Sequence, residues 1–170
     1  MANYELVETI ALGSDVTSLT FSGIPGDADG LYLRVNARGT STGQWIYGKV
    51  TFNGDTGSNY TTGVISATVA GSLSSTSDNA GIAYFPSGGN ATGLFGIAEI
   101  LLPNYKTADY KACRIQSQIS SNSTSTNDWQ TVINASAWRN SSVITSITLT
   151  WFSAQIGAGS KVSLYKMTNT

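Results

Sequence analysis

Histidine is absent from this chain, and cysteine occurs once, at Cys113. The first absence removes the usual general base, the commonest metal ligand and the physiological pH switch, so His-dependent catalytic triads are excluded. The second excludes an intrachain disulfide and a multi-cysteine zinc site, and it leaves the redox compartment unread. Cys113 is expected to be a small core residue. Charge is scarce as well: only 11% of residues are charged, and nine basic against ten acidic side chains leave a formal charge of −1. Duplex binding draws its affinity from neutralised phosphates, and attraction to anionic lipid needs a polybasic patch, so neither nucleic acid nor membrane is an expected partner. Long apolar runs are missing too. The strongest, residues 97–102, is interrupted by Glu99 and falls far short of the roughly 20 residues that span a bilayer. The opening residues carry no basic segment followed by an apolar one, so no secretory signal is read and synthesis in the cytoplasm is expected.

What the chain has in abundance is hydroxyl and glycine. Ser and Thr supply about a quarter of its 170 residues, and Gly reaches 18 against three Pro. Neutral hydroxyls rather than charges are expected to solvate the surface. At 17.8 kDa folding can bury roughly 70% of the extended chain's surface, enough for one self-sufficient core. The expectation is a single domain over residues 1–170.

The hydrophobic period is two. Leu31, Leu33, Val35 and Ala37 alternate with Tyr32, Arg34, Asn36 and Arg38, while Val143, Thr145, Ile147, Leu149 and Trp151 alternate with Ile144, Ser146, Thr148, Thr150 and Phe152. Such alternation marks half-buried strands. Further strands are expected at 5–11, 17–21, 45–53, 62–70, 81–85, 94–102, 110–119, 129–138 and 161–167. The predicted class is all-β: an antiparallel β-sandwich of about ten strands with little helix. Asn53-Gly54 is a type I′ hairpin signal, because both central residues of that turn need positive φ. Pro86 and Pro103 are expected to close strands, since proline cannot donate to a central ladder. Residues 71–79 and 120–127 are rich in Ser, Thr and Asn without apolar period, and they read as exposed loops.

One short echo links the ends: Val16-Thr-Ser-Leu-Thr-Phe-Ser resembles Ile144-Thr-Ser-Ile-Thr-Leu-Thr. With the opening Tyr4-Glu-Leu-Val-Glu-Thr-Ile, the stretch Phe52-Asn-Gly-Asp-Thr-Gly-Ser-Asn-Tyr60 and the closing Gly157-Ala-Gly-Ser-Lys-Val-Ser-Leu-Tyr165, these segments resemble a family of tailed-bacteriophage virion proteins. That family includes head decoration proteins and related tail or fibre domains. The resemblance runs from about residue 4 to about residue 165, and Phe52 to Tyr60 is its most specific stretch. It implies a jelly-roll-like sandwich with a structural or adhesive role, often in a trimer, and it names no catalytic residue. The chain opens directly on the sandwich, without a heptad stalk or β-helical shaft, which favours a small accessory protein of the head over a long fibre.

Catalysis and metal binding find little purchase. Asp27 and Asp29 lie two apart in Pro25-Gly-Asp-Ala-Asp-Gly30, but the further acidic ligands and closing Glu of a calcium loop do not follow. Asp55 sits in a turn. Glycoside hydrolysis needs two convergent carboxyl groups, and the spacing of Glu99 and Asp109 supplies no convergence. Gly88-Gly89 lacks the Gly-Lys-Ser/Thr continuation of a phosphate loop. No enzyme activity, cofactor or metal is expected.

Aromatic side chains carry more information, because strand parity gives each a face. Trp129 shares its parity with Thr131, Ile133, Ala135 and Ala137, and Trp151 with Ile147 and Leu149, so both are expected in the core. Trp45 and Tyr47 share theirs with Lys49 and Thr51, and Trp138 with Gln130, Asn134 and Ser136. These three are expected to face water or a partner, where aromatic rings make efficient contacts. Tyr32, Arg34 and Arg38 line a second wet face. Together these six are the candidate interface residues. The partners that the resemblance implies are further copies of the chain in a trimer and the major capsid protein, on the outer surface of a head. The alternative is an adhesive tail-fibre or baseplate module that binds host glycan or protein.

Overall fold

A computed structural model describes residues 2–66, 69–119, 130–152 and 154–169. Among them run twelve strands: β1 (Ala2–Ala11), β2 (Ser18–Ser22), β3 (Gly30–Ala37), β4 (Trp45–Phe52), β5 (Tyr60–Ser66), β6 (Val69–Ser77), β7 (Ile82–Pro86), β8 (Gly96–Pro103), β9 (Lys111–Ile119), β10 (Gln130–Trp138), β11 (Ser146–Trp151) and β12 (Lys161–Asn169). They form an eight-stranded sheet in the order β1-β12-β3-β8-β9-β10-β5-β6 and a four-stranded sheet in the order β2-β11-β4-β7. Every pairing is antiparallel.

Eight of these strands trace a jelly roll. With β5, β6, β9 and β10 set aside, the chain changes sheet at every step except β4 to β7, which are neighbours in the smaller sheet, and leaves two facing four-stranded sheets, β1-β12-β3-β8 and β2-β11-β4-β7. That is the double-sheet wrapping by which all-β domains limit exposed edges. The other four strands extend the larger sheet beyond β8. Their side of the molecule curls over β7, where the Tyr84 amide donates to Ser117 Oγ of β9 at 3.0 Å. An edge amide that would otherwise face solvent is thereby satisfied.

The alternation expected for β3 and β11 produces the core. Leu31, Leu33, Val35 and Ala37 are buried, as are Ile147, Leu149 and Trp151. They meet Leu19 and Phe21 of β2, Ile46, Val50 and Phe52 of β4, Ile100 and Leu102 of β8, and Val162 and Leu164 of β12. Gly48 lies opposite Trp151 in the ladder, and a Cβ there would stand 3.2 Å from the indole nitrogen. The glycine makes room for the ring. Val143 and Thr145 depart from the expected set: both precede β11 and are exposed, while Ile144 is buried. The two echo segments are neighbours. Leu19 faces Leu149 and Phe21 faces Ile147 across the β2–β11 ladder, and Thr20 and Thr148 hydroxyls bond at 2.9 Å on the outer side.

Two expectations about connections are corrected. Asn53 and Gly54 do take positive φ, 52° and 69°, and the Asp55 amide closes the turn on the Phe52 carbonyl at 2.9 Å. The turn does not close a hairpin, however, because β4 and β5 belong to different sheets. Residues 71–77, expected as loop, are strand in β6, paired to β5 through a register with two irregularities. Backbone pairing there needs no apolar alternation. Residues 120–127 and Trp129 lie outside the described residues.

Candidate functional site

The outer face of the four-stranded sheet carries a tile of aromatic rings. Trp45 and Tyr47 project from β4, Tyr84 from β7, and Phe152 follows β11 directly. Tyr47 and Tyr84 are cross-strand partners, which brings their centroids to 5.8 Å. Trp45 lies 5.4 Å from Tyr84, and Tyr47 stacks on Phe152 at 5.3 Å. Trp45 is 40% exposed and Phe152 48%, while Tyr47 and Tyr84 between them are half-buried. A shallow groove of about 230 Å³ runs along it, lined by Ser41, Trp45, Tyr47, Phe152 and Ala154. Lys49 closes one side, with its Nζ 5.2 Å from the Phe152 centroid and 2.9 Å from Asp78. That lysine hydrogen bond holds the Asp78 carboxyl below its ordinary pKa, against the opposing effect of burial. Burial raises the Tyr84 pKa, and Tyr47 adds to the shift.

A second aromatic group occupies the outer face of the eight-stranded sheet, on the opposite side of the sandwich. Tyr165 of β12 is the cross-strand partner of Tyr32 of β3, and Tyr4 of β1 meets Tyr32 edge-on at 5.4 Å. Leu101 and Arg114 continue the row across β8 and β9. The Tyr32 hydroxyl donates to Glu99 Oε1 at 2.7 Å. Burial, then that bond to a carboxylate, pushes the Tyr32 pKa up to about 12. Tyr4, Tyr32, Glu99, Leu101 and Arg114 border an open depression of about 390 Å³. Arg34 is exposed beside it, opposite Glu99 in the ladder.

Trp138 is a correction. It is only 1% exposed, and its Nε1–H donates to Asp55 Oδ2 at 2.7 Å. Its ring stacks on Tyr60 with centroids 6.3 Å apart, and Phe52 meets it edge-on at 5.7 Å. The expected parity of β10 is inverted: Val132, Asn134, Ser136 and Trp138 point inward, whereas Ile133 and Ala135 are exposed. Burying an indole that also gains a carboxylate partner outweighs exposing one Ile. The buried polar neighbours are tolerated because they find partners, as Ser136 Oγ does in Thr62 at 3.4 Å. Ile133 instead faces Ile65 across the β10–β5 ladder, both exposed on the larger sheet's outer face.

Arg38 is corrected as well. Its guanidinium donates to the carbonyls of Asn90, Ala91 and Leu94 at 2.9, 2.7 and 3.1 Å. It clamps the 90–94 loop and is not a free cation on a wet face. The acidic turns have structural partners too. Asp27 bonds Lys166 at 3.1 Å, which lowers its pKa, and Asp29 lies 3.9 Å from Lys106. Asp55 accepts from Trp138, from Asn59 Nδ2 and from the Gly57 amide. Burial alone would raise its pKa, but those hydrogen bonds outweigh it and hold the carboxyl below its ordinary value of 3.8. Sequence reading overlooked Tyr84 and gave Phe152 no role. Alternation in 81–85 could have placed Tyr84 outward, but its meeting with Tyr47 is set by register alone. No protein-family model, curated protein or solved structure matches the chain.

Proposed function

We propose that this protein is a phage virion structural protein, and specifically a decoration, or cement, protein. In this reading it binds the outer surface of the head shell as a trimer around threefold or local threefold positions. The supporting observation is the pair of partly exposed aromatic groups on opposite sides of one jelly roll. A cement subunit has to contact its own copies and the shell at once, and two back-to-back contact faces suit that task. Trp45, Tyr47, Tyr84 and Phe152 are the anchors on one side, and Tyr4, Tyr32 and Tyr165 on the other, since aromatic residues dominate interface hot spots. With a net charge of −1, attachment rests on apolar area and neutral hydrogen bonds. Three linked copies of a weak contact then bind strongly through effective concentration. Asp27, Asp29, Asp55, Asp78 and Glu99 are paired within the fold, and the reading is non-enzymatic.

The groove along Trp45 and Tyr47 supports a second reading, an adhesive module at the tail that stacks host glycan on those rings. Locating the protein by electron microscopy in its virion, together with heat-release assays of particles with and without it, separates the two. Density at threefold head positions and earlier genome release without the protein are expected. Density confined to the tail and unchanged shells would overturn the cement reading in favour of the adhesive one.

A further inference from the structure

The chain contains one Asn-Gly pair, Asn53-Gly54. Glycine has no side chain to shield its backbone nitrogen, so in a mobile chain that nitrogen readily reaches the preceding asparagine Cγ. In the fold the Asn53 side chain is engaged elsewhere. Its Nδ2 donates to the Val143 carbonyl at 2.7 Å. Its Oδ1 accepts from the Thr145 amide at 2.8 Å, the Ser146 amide at 3.0 Å and the Thr145 hydroxyl at 3.3 Å. The Asn53 amide adds a bond to the Ser146 carbonyl at 3.0 Å. These contacts consume the acceptor capacity of the side-chain amide and one of its two donors. They tie the β4–β5 crossover to the start of β11, in the middle of the smaller sheet. Asn53 is itself exposed, so water has access and geometry alone holds the side chain in place.

We propose that Asn53 is a deamidation site gated by this docking, and that it acts as a one-way latch on the crossover. While the side chain is docked, its Cγ stays with residues 143–146. Once the turn lifts, the Gly54 nitrogen loses its proton to solvent base and attacks Cγ. The Cγ–Nδ2 bond breaks, ammonia leaves with a proton from water, and a succinimide forms. Water then opens either succinimide carbonyl to aspartate or isoaspartate, so the net change consumes one water and releases one ammonia. Neither product can redock as before. The carboxylate has no hydrogen for the Val143 carbonyl and sets negative charge against its oxygen, and isoaspartate also lengthens the backbone within a turn. A transient opening thereby becomes permanent.

The test is a time course of the full-length protein in mildly alkaline buffer, native and unfolded in urea, with the Asn53 peptide followed by mass spectrometry. Deamidation at least roughly tenfold slower in the native protein is expected, because several hydrogen bonds must break first. Equal rates in the two states would overturn the proposal. The N53D variant should also melt below the wild type, and an unchanged melting temperature would contradict the latch. If N53D does not fold, the ratio of native to unfolded rates still decides.

Discussion

Strand β4 carries an aromatic group on each of its faces. Inward, Phe52 meets Tyr60 and Trp138; outward, Trp45 and Tyr47 meet Tyr84 and Phe152. Ring separations are alike in the two groups, so stacking does not distinguish them. Polar satisfaction and cover do. The inner group has every polar atom spoken for: Trp138 Nε1 reaches Asp55, and the Tyr60 hydroxyl accepts from the Phe52 amide and donates to the Asp55 carbonyl, both at 3.0 Å. In the outer group Trp45 and Phe152 are exposed, and a groove runs beside them. The inner rings therefore belong to folding energetics, whereas the outer rings retain area that a partner can still bury.

Substitutions on the two faces should separate accordingly. Trp138→Ala should cost about 3–5 kcal/mol, the range for deleting a large buried ring, measured by denaturant unfolding; a loss near zero would mean the inner group does not hold the core. Tyr60→Phe keeps the ring but strands the Phe52 amide, so a loss of about 1–3 kcal/mol is expected by the same assay. Acid should act on the inner face too. The Asp55 carboxyl titrates lower in the folded than in the unfolded chain, so its contribution is present above the unfolded pKa and is lost as pH falls through the folded value. Thermal unfolding should thus show stability falling below about pH 4, and Asp55→Asn should flatten part of that fall. An unchanged acid slope would remove Asp55 from the account. The smallest stability effect belongs outside: Trp45→Ala should change unfolding by no more than about 1 kcal/mol, as for an exposed position.

Legibility in the sequence follows the same division. The inner faces of β3 and β11 could be read because alternation was strong and undisturbed by buried polar residues. On β10 the same rule gave the wrong face, since Asn134 and Ser136 lie inside beside Trp138. The partner that makes this tolerable, Asp55, is 83 residues away and is invisible to local pattern. Asn53-Gly54 announced its backbone geometry but not its destination, because whether a turn joins neighbours or crosses between sheets depends on strand order. Parity puts Trp45 and Tyr47 on the outer side of β4, where Trp45 is exposed, but it does not reveal Tyr84 beside them. Tyr84 reaches Tyr47 only through the β4–β7 register. Arg38 shared the polar parity of its strand, and only the fold shows that its charge is spent on three loop carbonyls.

The most direct test of the account is attachment measured on equally folded proteins. Virions stripped of this protein would be titrated with wild-type protein and with Trp45→Ala and Tyr84→Ala variants whose melting temperatures match the wild type. The account predicts saturable binding of the wild type and at least roughly tenfold weaker binding of each variant, the loss expected when a central aromatic anchor is truncated. Wild-type affinity in both variants would contradict it and would leave the outer aromatic face of β4 without the role assigned to it.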